Sequence, residues 1–198
     1  MEDNIYSPPT AVVADAPVAI QAQKFYAVSP LKFWVLMMVT LGIYRLYWFY
    51  KHWSNYKRVT GESMWPVMRS IFSVFFTHAL FREIEAEIGR VRSRHDWNGV
   101  AWATLYVVAT VGENVIDRVE RFGGMSLAAS SGISMLILIA AVFAAYQGQR
   151  AANAAIGDPE GRSNARFTIA NWCWIVFGLL FWSMALIGLS LPPEALEG

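Results

Sequence analysis

Four apolar stretches, residues 31–50, 97–116, 126–146 and 168–189, divide the chain. Each is about as long as an α-helix needs to cross the ~30 Å hydrocarbon core of a bilayer, roughly 20 residues at ~1.5 Å rise each. Inside lipid every backbone N–H and C=O must find a partner in the protein, so such stretches fold as helices. The expected fold class is all-α: a polytopic helical membrane protein with four transmembrane helices and one or two amphipathic helices, interfacial or cytoplasmic. At 56% hydrophobic and 16% charged residues, the chain is more apolar than an ordinary soluble domain.

This reading divides the chain into an N-terminal tail, 1–30, a single helical membrane domain, 31–190, and a C-terminal tail, 191–198. The tail carries Glu2 and Asp3 where a signal peptide carries basic residues, lacks a continuous apolar run, and contains Pro8, Pro9 and Pro17. It is expected to be flexible, with a weak interfacial section near Phe25 and Tyr26. A net charge of +1 with no separate basic domain argues against a nucleic-acid partner, and none is expected. The lone Cys173 excludes an intramolecular disulfide.

Orientation follows from the lysines and arginines, which concentrate in cytoplasmic connections. Segment 51–96 carries eight of them and segment 147–167 three, while the connection at 117–125 has Arg118 and Arg121 and the tail has Lys24. Four crossings place the two basic connections on one side, so that side is expected to be cytoplasmic, with both termini outside.

Two further segments are amphipathic. In 65–81, Arg69, Ser70, Ser73 and Thr77 form a polar stripe beside Ile71, Phe72, Val74, Phe75 and Phe76, which suits a helix lying in the interface better than a fifth crossing. In 82–95 the apolar stripe is Ile84, Ile88 and Val91, and on a straight helix it would replace the polar one. A bend near Phe81–Glu83, or packing of the second segment on protein, is therefore expected.

Candidate functional residues are few. Arg45 sits in an aromatic girdle with Tyr44, Tyr47, Trp48 and Tyr50; it reads as an interface anchor, or as the partner of a carboxylate. Glu113 and Asp117 share one helix face with Arg121 and could handle a cation or proton, or mark a helix end in water. The four-crossing topology puts them on the opposite side of the bilayer from Arg45. His78 stands alone on an apolar segment, whereas His52 and His95 read as interfacial. No His, Cys, Asp or Glu spacing suggests a metal site, and no cofactor motif is present. Ser130, Ser131, Ser134 and Ser183 lack a base on their own spans. The third stretch repeats small residues at Ala140, Ala144 and Gly148, the pattern that lets helices approach closely in lipid.

The runs Phe25-Tyr26-Ala27-Val28-Ser29-Pro30-Leu31-Lys32-Phe33, Thr40-Leu41-Gly42-Ile43-Tyr44 with Tyr47-Trp48-Phe49-Tyr50-Lys51-His52-Trp53, and Asn164-Ala165-Arg166-Phe167-Thr168 with Asn171-Trp172 resemble an uncharacterised family of small bacterial integral membrane proteins. The resemblance implies a bacterial cytoplasmic (inner) membrane and assigns no activity or functional residue.

Function is accordingly expected to be non-enzymatic: a scaffold or accessory protein whose basic loop, 51–96, binds a partner or anionic lipid. The alternative is an oligomeric small transporter or channel subunit built around Arg45, Glu113 and Asp117.

Overall fold

The computed structural model describes residues 23–190, and among these the regular structure is entirely helical. Seven α-helices follow in order: α1 (Pro30–Val39), α2 (Tyr44–Thr60), α3 (Pro66–Ile71), α4 (Ser73–Arg90), α5 (Gly99–Arg121), α6 (Leu127–Ala155) and α7 (Ile169–Ser190), with one short 3-10 turn at Arg162–Asn164.

Three helices are long and apolar enough to cross a membrane: α5 with 23 residues, α6 with 29, and Ile169–Gly188 of α7 with 20. Their outward faces are apolar and uncovered, as at Val100, Val108, Leu136, Val176, Leu180 and Met184. So much contiguous exposed hydrocarbon marks a surface built for lipid. Side chains cap both α5 and α6 at their starts: Asn98 accepts from the N–H of Ala101, and Ser126 from that of Ala129.

Residues 31–50, expected as a single crossing, are not one helix. α1 ends after 10 residues, a length of about 15 Å or half the hydrocarbon core. The N–H of Gly42 bonds to the carbonyl of Met37 at 2.8 Å and that of Leu41 to Met38 at 3.1 Å, which is the Schellman termination. It holds Leu41 at φ 50° and Gly42 at φ 79°. Thr40 then joins the two helices, its hydroxyl donating to Leu36 O at 2.7 Å and accepting from the N–H of Tyr44 at 3.0 Å.

Contacts along α1 and α2 show that the pair enters and leaves by the same end. Phe33, in the first turn of α1, packs on Tyr146 of α6, with ring centroids 5.9 Å apart. Farther along, Gly42 meets Leu138, and Met38 O accepts from the indole of Trp182 at 3.2 Å. α2 then climbs back: Phe49 lies against Tyr106, His52 reaches Gln149, and Tyr56 bonds Glu83. At the tip Thr40 and Gly42 are buried, while Ile43 and Leu46 are exposed. The aromatic girdle is divided: Tyr44 and Trp48 are buried in the protein, with Phe49 and Trp53 beside them, while Tyr47 and Tyr50 are exposed.

One further expectation changes with this pair. Residues 23–29, read as part of a flexible tail lying outside, are packed at the end that carries the basic loops; Phe25 and Val28 are fully buried there. Residues 1–22 and 191–198 lie outside the described residues, so the placement of the two termini does as well.

The bend in the amphipathic region falls at Phe72, not near Phe81–Glu83, and α4 runs unbroken through those positions. Of the two expectations offered, packing on protein is the one found: Ile84 and Ile88 are buried with Leu80 and Phe81. The polar stripe of 65–81 turns inward, with Ser70, Ser73 and Thr77 buried, while Trp65, Ile71, Phe72 and Phe75 are exposed. Arg69 lies 4.3 Å over the Trp53 ring, a cation–π contact.

Candidate functional site

At the basic end, the chain from Tyr26 to Val28 is threaded between α2, α6 and the 3-10 turn. A non-helical backbone buried there needs partners, and amide side chains supply them. Asn153 accepts from the N–H of Val28 at 3.3 Å and donates to its carbonyl at 2.9 Å. Gln149 donates to Tyr26 O at 2.9 Å, and Asn164 to Ala27 O at 2.8 Å. Gly161 leaves room for this chain: a Cβ there would lie 2.3 Å from Val28 O, and its φ is 61°.

His52 completes the cluster and is fully buried, not interfacial. Its Nδ1 faces the N–H of Tyr26 at 3.4 Å, and its Nε2 faces Gln149 Oε1 at 3.3 Å. Because a backbone N–H can only donate, Nδ1 is the acceptor and the proton sits on Nε2. Gln149 Oε1 also accepts from the indole N–H of Trp48. Burial pushes the His52 pKa down to about 3, opposed by the Gln149 hydrogen bond.

Beside this cluster lies an open cleft of about 720 Å³. Its walls come from residues 23–27, the α1 start, α2, the 3-10 turn and the first turns of α7. Lys32, Lys51 and Arg58 line it, and no carboxylate of the described residues does. Lys32 is 1% exposed, and its ammonium donates to two neutral oxygens, Asn164 Oδ1 at 2.6 Å and Arg166 O at 2.8 Å. Among the described residues the ion pairs are elsewhere: Lys24 with Glu87 at 3.1 Å, and Arg90 with Glu87. Those bonds, the one from Arg90 foremost, hold the Glu87 carboxyl below its ordinary range against the opposing effect of burial.

The sequence-derived candidates fall elsewhere. Arg45 and Glu113 line one cavity of about 840 Å³, bounded by the re-entrant tip, α5, α6 and α7. The expected separation of the two residues is not found, because Arg45, at the tip between α1 and α2, lines the same cavity as Glu113. They are not an ion pair, and Glu113 Oε2 is buried with no hydrogen-bond partner among the described residues. Asp117 is exposed farther along α5. His78 is also exposed, with Nε2 3.2 Å from the Thr104 hydroxyl. On α6, Ala144 is fully buried, Gly148 faces the Phe81 ring and Ala140 is half-buried. No group of three potential metal ligands occurs among the described residues.

Lys32, Gln149, Asn153 and Asn164 were not singled out by sequence reasoning. One local signal was available: Gln149 and Asn153 sit four apart on a helix otherwise rich in small residues, so they share a face. The structure defines an α-helical protein with three membrane-crossing-length helices and a cationic cleft at one end. No family model, curated protein or solved structure matches the chain.

Proposed function

We propose that this chain is an integral protein of a bacterial cytoplasmic membrane that acts as a non-enzymatic scaffold or accessory factor, binding anionic lipid at its basic end. In this reading α5, α6 and α7 cross the bilayer, α1 and α2 form a re-entrant pair in place of a fourth crossing, and the basic end is cytoplasmic. The observation that carries the reading is charge collected in space. Segments 51–96 and 147–167, together with Lys24, hold twelve of the sixteen lysines and arginines. Arg58, Glu87, Arg90, Ala155 and Pro159 line a single groove where those segments meet. An anionic leaflet attracts each nearby cation by ~1 kcal/mol, less as salt rises.

The test is a titration of detergent-solubilised protein with short-chain phosphatidylglycerol or phosphatidylcholine, followed by thermal unfolding. The anionic lipid is expected to raise the unfolding temperature more, by an increment that shrinks with salt. Equal shifts with both lipids overturn the reading.

A second reading, an oligomeric transporter or channel subunit, is favoured by Arg45 and Glu113 facing one cavity within the helical domain. Ion flux in protein-loaded liposomes, abolished by Glu113→Gln, would support it over the first.

A further inference from the structure

The cleft is one-sided in hydrogen-bonding chemistry as well as in charge. Three asparagine amides line it, and each one's orientation is set by a neighbour able only to donate. Asn55 Oδ1 accepts from the Arg58 guanidinium at 3.2 Å, Asn164 Oδ1 from the Lys32 ammonium at 2.6 Å, and Asn171 Oδ1 from the backbone N–H of Thr168 at 3.0 Å. Each amide oxygen is thereby turned toward a donor of the protein. The Nδ2 groups of Asn55 and Asn171 bond no described residue and remain as donors.

Donors and cations thus line one cleft that no carboxylate of the described residues lines. A buried ammonium is stable only with compensation, and Lys32 has two neutral acceptors and no anion. The donors outnumber what the two oxygens of a carboxylate can use, whereas a phosphate presents more oxygens and more charge. The cleft also opens beside the first turn of α7, where a crossing-length helix begins and Trp172 is 57% exposed. That is the level of lipid headgroups, which tryptophan favours.

We infer that the cleft between residues 23–27, α2 and the start of α7 is a binding site for a phosphate group, carried on a phospholipid headgroup or free in solution. Lys32, Lys51 and Arg58 supply the charge, and Asn55 and Asn171 donate to its oxygens. The inference rests on the anionic-lipid reading but replaces diffuse attraction with one stereochemically defined site.

The test compares the full chain with three variants in maltoside micelles, which carry no phosphate. Lys51→Gln and Arg58→Gln remove charge at accessible positions. Asn171→Asp is the sharpest, because its carboxylate keeps an oxygen facing Thr168 N–H, suits a helix start, and replaces the free Nδ2 donor with a negative oxygen. Binding of inorganic phosphate, glycerol phosphate and added phosphatidic acid is read from tryptophan fluorescence, with Trp174 on the cleft wall, and from native mass spectrometry.

Saturable binding that weakens at least about tenfold in Asn171→Asp, as expected from a lost donor and an added like charge at ~1.4 kcal/mol per tenfold, supports the site. Response to phosphatidic acid alone assigns the phosphate to a lipid; response to the soluble anions as well assigns it to a free oxyanion. If anionic lipid still binds and all three variants bind as wild type does, the cleft is overturned while the surface reading stands. If no probe binds, both fall.

Discussion

The side-chain amide of Asn153 bonds to both backbone groups of Val28, 125 residues earlier, accepting from its N–H at 3.3 Å and donating to its carbonyl at 2.9 Å. One side chain of α6 thereby does for this buried stretch what a neighbouring strand would do. Asn153→Leu strands both backbone groups and removes one of the two bonds of the Gln149 amide, the one to Asn153 at 2.7 Å. At ~1–3 kcal/mol per unsatisfied buried group, the expected loss is about 3 kcal/mol or more. Thermal unfolding in detergent measures it, and trypsin should then cut faster after Lys24. Unchanged stability and cleavage rule out this clamp.

His52 makes stability depend on pH. Its pKa is about 3 in the folded protein and 6.5 when unperturbed. Between those values the unfolded chain binds a proton that the native state does not, so stability rises with pH through this window. The contribution is intact above about 6.5 and is lost progressively as pH falls toward 3, at up to ~1.4 kcal/mol per pH unit. Denaturant titrations from pH 7.5 to 4 should show the loss, and His52→Gln should flatten it. An identical slope in the variant assigns the effect to other groups.

α7 leans on α1 through Gly178, where an added Cβ would lie 2.2 Å from Val39 O. Gly178→Ala should push the helices apart, strain the Trp182–Met38 hydrogen bond, and destabilise by ~1–3 kcal/mol. Gly188 has nothing within 4 Å of such a Cβ, so Gly188→Ala should stay within about 0.5 kcal/mol of wild type. Unfolding temperatures of the pair decide the matter, and equal values contradict the close approach.

The re-entrant pair makes a topological prediction. In a chain with Cys173 replaced by Ser, single cysteines at positions 23, 62 and 160 should react with a membrane-impermeant reagent from one side. A cysteine at position 122, where Phe122 is 88% exposed, should react from the other. Labelling of positions 23 and 62 from opposite sides would restore a crossing at 31–50.

Arg45 and Glu113 face one cavity, so their charges should be coupled. In a double-mutant cycle with Arg45→Leu and Glu113→Leu, removing both should cost ~0.5–3 kcal/mol less than the sum of the single losses. Additive losses would mean that the two charges do not sense each other.

The crossing segments were legible in the sequence because lipid imposes a one-dimensional rule: enough consecutive apolar residues, without charge, make a helix of fixed reach. α6 and α7 follow it directly, and α5 follows it despite Glu113. The rule failed at 31–50 because average hydropathy does not register a helix stop. The stop there is a Thr-Leu-Gly step with Leu41 in the left-handed region, where glycine is the usual occupant. The inward polar stripe of Ser70, Ser73 and Thr77 was legible as amphipathicity, but the pattern alone did not say which face meets protein.

The cleft was settled by tertiary structure alone. Lys32 meets Asn164 across 132 residues, and Gln149 meets Trp48 across 101. Residue periodicity reports the faces of single elements and carries no information about which distant faces will meet. The sequence determined that this chain has membrane-length helices and a strong bias of positive charge. Packing around the re-entrant pair decided where that charge gathers, which amide ends stay free, and that a lysine in the first turn of α1 is buried beside no acid.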